Sequence, residues 1–144
     1  MTTKKALRHY EQIDREIAKA ASRFSQQLMS NSKWVRLIGK LVEHADKILT
    51  IEFKKVQQDR IGQLHLAEDT EFGFDYWQTG FEGCNSLGGW LIFKEIEYLF
   101  FPRVIDAGKQ LEQDLQQIEA IINSVGQFSL EMDEAGLKLH CYKE

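Results

Sequence analysis

Ten of the chain's sixteen aromatic residues fall between Phe72 and Pro102: Phe72, Phe74, Tyr76, Trp77, Phe81, Trp90, Phe93, Tyr98, Phe100 and Phe101. Two strand-like aromatic runs flank a connection carrying Gly80, Gly83, Gly88 and Gly89. Rings at this density demand burial in a core or contact with another molecule. The stretch is therefore expected to supply both. Phe72, Phe74, Tyr98 and Phe100 are assigned to the core, and Trp77, Phe81 and Glu82 to the exposed side.

A chain of 144 residues fits one domain and buries enough surface to need no disulfide staples. Charge is distributed unevenly along it. Residues 1–60 hold thirteen Lys/Arg against seven Asp/Glu, whereas residues 61–144 hold five against fifteen. No Lys or Arg occurs between Arg60 and Lys94, while Glu68, Asp69, Glu71, Asp75 and Glu82 fall in that window. A surface built from it repels nucleic acid and anionic lipid and suits a basic protein or a cation. No apolar run is long enough to span a bilayer, and MTTKKALRHYEQ lacks the apolar region of a signal peptide. A cytoplasmic protein with no membrane partner is expected, its two cysteines as free thiols.

Periodicity orders the rest. Leu7, Tyr10, Ile13, Ile17, Ala21, Phe24 and Leu28 form one apolar stripe, predicting a helix over 4–29. Residues 1–28 read as an accessory amphipathic helix on a 30–144 α+β body, the whole being a single domain. The stripe suits docking on that body or homodimerisation, and the basic back, with Lys4, Arg8, Arg15, Lys19 and Arg23, suits an anionic surface. Ser30-Asn31-Ser32 offers N-cap side chains for a second helix. Leu49, Ile51 and Phe53 then alternate with polar residues as a half-buried strand, and Ile61–Leu66 follows as a second. Phe72–Tyr76 is the third strand and Trp90–Phe101 the fourth, broken near Lys94 and ended by Pro102. Asp106 is placed as the cap of a helix reaching Val125, closed by a left-handed Gly126. The tail alternates on either side of Asp133-Glu134-Ala135-Gly136 and reads as a β-hairpin. The order ααββββαββ has hairpin-length links between strands. It predicts an α+β fold, a mostly antiparallel sheet of about six strands with helices on one face.

Few chemistries fit these residues. The glycine-rich connection leads into a strand rather than a helix, and Glu82 opposes a phosphate. Asp75, Glu82, Glu95 and Glu97 are the carboxylates from which a small hydrolase would be built, with Glu95 and Glu97 expected on one strand face. Cys84 lacks any local nucleophile signature, although His65 or His140 would be its base. A zinc site from Cys84, Cys141, His65 and His140 fails on spacing. No catalytic residue, cofactor or metal ligand is therefore assigned. Recognition remains, through an acidic aromatic loop in which Asp75, Trp77, Phe81, Glu82, Asn85 and Trp90 bind the partner.

The run Gly88-Gly89-Trp90-Leu91-Ile92-Phe93-Lys94-Glu95-Ile96-Glu97-Tyr98, followed by Phe101-Pro102 and preceded by the early Lys33-Trp34 pair, resembles a family of short bacterial proteins with no established activity. The resemblance covers residues 31–142 and leaves out 1–28. It transfers no catalytic residue, and by analogy it implies an immunity-like binder, with a toxin domain as partner.

Overall fold

The computed structural model describes residues 4–66, 76–77, 80–82, 85–87 and 90–144, with side chains from residue 11 onward except at 76, 77, 81, 82 and 90. Three helices, α1 (Lys4–Ala21), α2 (Asn31–Glu43) and α3 (Leu115–Asn123), accompany twelve strands among these residues. In chain order the strands are β1 (Gln26–Gln27), β2 (Ile51–Lys55), β3 (Ile61–Leu64), β4 (Tyr76–Trp77), β5 (Gly80–Glu82), β6 (Trp90–Ile92), β7 (Ile96–Pro102), β8 (Val104–Asp106), β9 (Leu111–Glu112), β10 (Ser129–Met132), β11 (Gly136–His140) and β12 (Tyr142–Lys143).

The centre is an antiparallel five-stranded sheet in the order β10-β11-β7-β2-β3. Its inner face carries Ile51, Phe53, Leu99, Phe101, Leu137 and Leu139, none more than 3% exposed. Against them pack Trp34, Leu37, Ile38 and Leu41 of α2 and Leu115, Ile118 and Ile122 of α3, in one core. Both helices present an apolar stripe of 3.6-residue period, so both bury the same side of the sheet. The fold is α+β with helices on one face.

Local chemistry explains the elements. Ser30 caps α2 by accepting a hydrogen bond from the Lys33 N–H, and Trp34 stacks on Phe93 with ring centroids 5.4 Å apart. Gly62 stands opposite Phe53 because a Cβ there would lie 2.5 Å from the ring. The break near Lys94 is a 3-10 turn over Phe93–Glu95, so β6 and β7 are separate strands in separate sheets.

Four expectations are corrected. The first helix stops at Ala21 rather than residue 29: Gln26 and Gln27 pair with Lys143 and Tyr142, and Phe24 packs on the Tyr142 ring. Ile17 is 1% exposed, so the C-terminal half of the apolar stripe is docked on the body. Leu49 precedes β2 and is 51% exposed instead of buried. Asp106 does not start the last helix; it accepts from the N–H groups of Gly108 and Lys109 in the turn joining β8 to β9. The cap is Asp114, which accepts from Gln117 N–H, and the helix ends at Ser124 without a left-handed Gly126. Finally, Tyr98 and Phe100 lie opposite the core. Glu97 is an extra residue between the Lys54–Tyr98 and Lys55–Ile96 pairs, so Ile96, Leu99 and Phe101 point inward instead.

Candidate functional site

The outer face of the sheet is the surface on which the described residues converge. Residues one position out of phase with the core point there, and the register sets them in rows. One row runs Gln63, Glu52, Phe100, Lys138, Glu131; the next runs Ile61, Lys54, Tyr98, His140, Ser129. Two large rings on the solvent side of a sheet depart from the usual polar outer face. They line a concavity of about 370 Å³ together with Glu52, Glu131, Asp133 and Lys138. Gly136 lets the chain come close: a Cβ there would stand 2.7 Å from the Phe100 ring and 2.3 Å from the Phe101 carbonyl oxygen.

The charges around these rings are not equally satisfied. Lys138 Nζ lies 4.4 Å from the Tyr98 ring centroid, a cation–π contact. Glu131 Oε2 meets His140 Nε2 at 2.9 Å, and Asp133 Oδ1 accepts from the N–H groups of Ala135 and Gly136. Glu97 takes both Lys54, at 2.9 Å, and Arg23, at 2.7 Å, tying the residues after α1 to the sheet. Glu52 differs: among the described residues its carboxylate makes no hydrogen bond or ion pair. Burial pushes its carboxyl above the ordinary value of 4.5. The Tyr98 hydroxyl is pushed up as well, by burial first and then by Glu97 and Glu52.

The sign of the Glu52 shift gives a test. A carboxyl with a raised folded-state pKa favours folding below its unfolded value and loses that advantage as pH rises through the folded value. At pH 7 the ionised side chain therefore works against folding. Glu52→Gln should raise the melting temperature at pH 7, and the gain should shrink as pH falls through the raised folded value and be gone below about 4.5, the ordinary value. Thermal unfolding at both pH values checks it. A variant that melts lower at pH 7 removes the idea that this charge is kept at a cost to stability.

The residues proposed from the loop are only partly described. Asp75 lies outside the described residues, and so do the side chains of Trp77, Phe81, Glu82 and Trp90. The backbones of the latter four belong to the small antiparallel sheet β4-β5-β6. Asn85 is 7% exposed; its Oδ1 accepts from Leu87 N–H, and its backbone bridges Leu64 on the edge of β3. That bridge brings this part of the loop to the rim of the central sheet.

Of the carboxylates of the hydrolase alternative, the described side chains are those of Glu95 and Glu97. Glu95 and Glu97 do not share a strand face: Glu95 sits in the 3-10 turn, 2% exposed and 2.8 Å from Lys55 Nζ, while Glu97 pairs with Lys54 and Arg23. Cys84 lies outside the described residues. Cys141 is a buried free thiol whose pKa burial pushes well up, and His140 beside it faces the opposite side. Among the described residues no three His, Cys, Asp or Glu side chains cluster as a metal site.

Sequence reasoning passed over Glu52, Tyr98, Phe100, Glu131, Asp133 and Lys138 as a set. The signal available was the period of two, which already put Glu52 on the polar side of its strand. The bulge at Glu97, which turns the two rings to that side, has no signature in the sequence.

Among the described residues no helix is long and apolar enough to cross a membrane. Comparison with protein-family models, with curated proteins and with solved structures finds no match to this chain.

Proposed function

We propose that the chain is a non-enzymatic, cytoplasmic binding protein that grips a basic protein partner with the outer face of its central sheet. The observation that carries this is Glu52, a partly desolvated carboxylate with no ion-pair partner among the described residues, set beside two half-buried rings. Local rules are broken in this way mainly where function demands it. A basic side chain of a partner supplies the missing charge, and Tyr98 and Phe100 supply area for a desolvated anchor. Three carboxylates and one ammonium line the concavity, which favours a cationic ligand. The acidic loop with Asp75, Trp77, Phe81, Glu82, Asn85 and Trp90 is the second part of the proposed surface. A toxin domain is the partner class implied by the family resemblance.

Affinity capture from the native cell with the wild type and with Glu52→Lys/Tyr98→Ala tests the reading. A basic protein recovered by the wild type should be lost from the variant. Its retention should weaken as salt is raised, because exposed charge attraction is screened over about 10 Å at 0.1 M. Equal recovery of every protein by both baits would count against the outer face.

A further inference from the structure

We propose that the partner docks by adding an extended strand to β10, and that this strand alternates basic and apolar residues. The inference rests on the basic-partner reading and states how such a partner is held.

The central sheet has two edges, and they are treated differently. On β3 the edge is closed: Ser86 N–H donates to the Gln63 carbonyl at 2.9 Å, Ser86 Oγ accepts from Gln63 N–H at 2.8 Å, and Asn85 bridges Leu64. On β10 no such cover exists among the described residues. Asp133 N–H donates to the Gly136 carbonyl at 3.0 Å, which fixes the phase of the β10–β11 ladder. Antiparallel alternation then puts the ladder bonds at the Glu131–Lys138 and Ser129–His140 pairs. The N–H and C=O groups of Leu130 and Met132 point away from β11, and no described group bonds them. Natural edges are commonly blunted by lysine, proline or a bulge. Ser129-Leu130-Glu131-Met132 has none of these.

The register also dictates the composition of the added strand. Residues directly opposite across an antiparallel pair share a sheet face. Those opposite Leu130 and Met132 extend the apolar inner side, where Leu130 packs on the core and Met132 is 38% exposed. A residue opposite Glu131 lands on the outer face beside the concavity, where Asp133 follows. Basic residues fit that side. A second copy of β10 fits less well, because exchanging Leu130 and Met132 about a two-fold axis sets Glu131 against its own copy, and directly opposed like charges destabilise.

The probe is the peptide acetyl-Lys-Val-Lys-Val-Lys-Val-amide, titrated into the full chain. Its valines are expected opposite Leu130 and Met132, so their N–H groups face β10. N-methylation of the valines should weaken binding by on the order of tenfold or more, and N-methylation of the lysines should leave it nearly unchanged. Met132→Pro removes an outward N–H that the sheet does not use, so the variant should keep its circular dichroism and lose binding by a similar factor. Glu131→Lys should weaken binding too. A folded Met132→Pro variant that binds like the wild type overturns the inference, and so do equal effects of the two methylation patterns. If Glu52→Gln still weakens binding in either of those cases, the outer-face reading stands and only the edge fails. No binding of the peptide to the wild type also overturns the edge, and leaves the cell-capture test independent. A wild-type dimer that Met132→Pro dissociates makes a second copy the occupant and overturns the basic strand.

Discussion

Gln113→Ala should lower the unfolding free energy by roughly 3–5 kcal/mol, read as a fall in the urea midpoint at unchanged slope. Gln113 is 5% exposed, and its amide is used at every position. Its Oε1 accepts from Leu49 N–H at 3.1 Å and Thr50 N–H at 3.4 Å; its Nε2 donates to the Thr50 carbonyl at 3.0 Å and the Pro102 carbonyl at 2.7 Å. These bonds fasten the start of β2 to the end of β7, the two strands that carry Glu52, Tyr98 and Phe100. Each buried group left unpaired costs about 1–3 kcal/mol, and water entering the space left by alanine recovers part of the total. Gln113→Leu separates volume from hydrogen bonding, since it fills the site and pairs nothing. Its loss should match or exceed that of alanine. A leucine variant within about 1 kcal/mol of the wild type would show that the side chain acts as a spacer rather than a clasp.

Gln113 also marks where the sequence stopped being readable. It falls inside a stretch assigned to a helix from Asp106, and both Asp106 and Asp114 accept from backbone N–H groups just after them in the chain, one in a turn and one at a helix start. Two aspartates with the same local chemistry cannot be told apart by propensity. The decision lies in the β8–β9 pairing, where Gln110 takes a positive φ of 53° and Val104 pairs with Glu112. Elements fixed by neighbours in sequence were legible: the Ser30 cap, the period of two through β2, the interruption at Lys94 and the closing hairpin. Elements fixed by distant backbone were not. Helix α1 ends where it does partly because β12, more than a hundred residues later, pairs with Gln26 and Gln27. The candidate site shows the same division. The alternation of Leu137 and Leu139 with Lys138 and His140 was visible, but Glu97, a residue of β7 with no register partner on β2, reverses which rings face solvent. The acidic loop was conspicuous in composition, and of the six residues assigned to it Asn85 is the one whose side chain can be placed, in a turn on the β3 edge.

Glu95→Ala should be as damaging as the loss of Gln113, for a different reason. The Glu95 and Lys55 side chains are 3% and 14% exposed and meet at 2.8 Å. Glu95 Oε2 also accepts from Ile92 N–H at 3.2 Å, so the same carboxylate pins the end of β6 at the entry to the turn. Removing one member of a buried pair leaves the other charge without compensation, which costs roughly 3–5 kcal/mol. Replacing both by methionine removes the stranded charge, and Lys55→Met/Glu95→Met should lose much less than either single variant. The cycle of the four proteins in urea measures that coupling. It also bears on the hydrolase alternative. Carboxylates held in place for catalysis are frequently kept at a cost, so their removal tends to stabilise the fold. A Glu95→Ala protein more stable than the wild type would return this residue to the list of catalytic candidates. A large loss that the double variant recovers identifies the pair as a structural strut between the β6–β7 turn and β2, and Glu52, whose neutralisation is expected to stabilise, keeps the opposite sign.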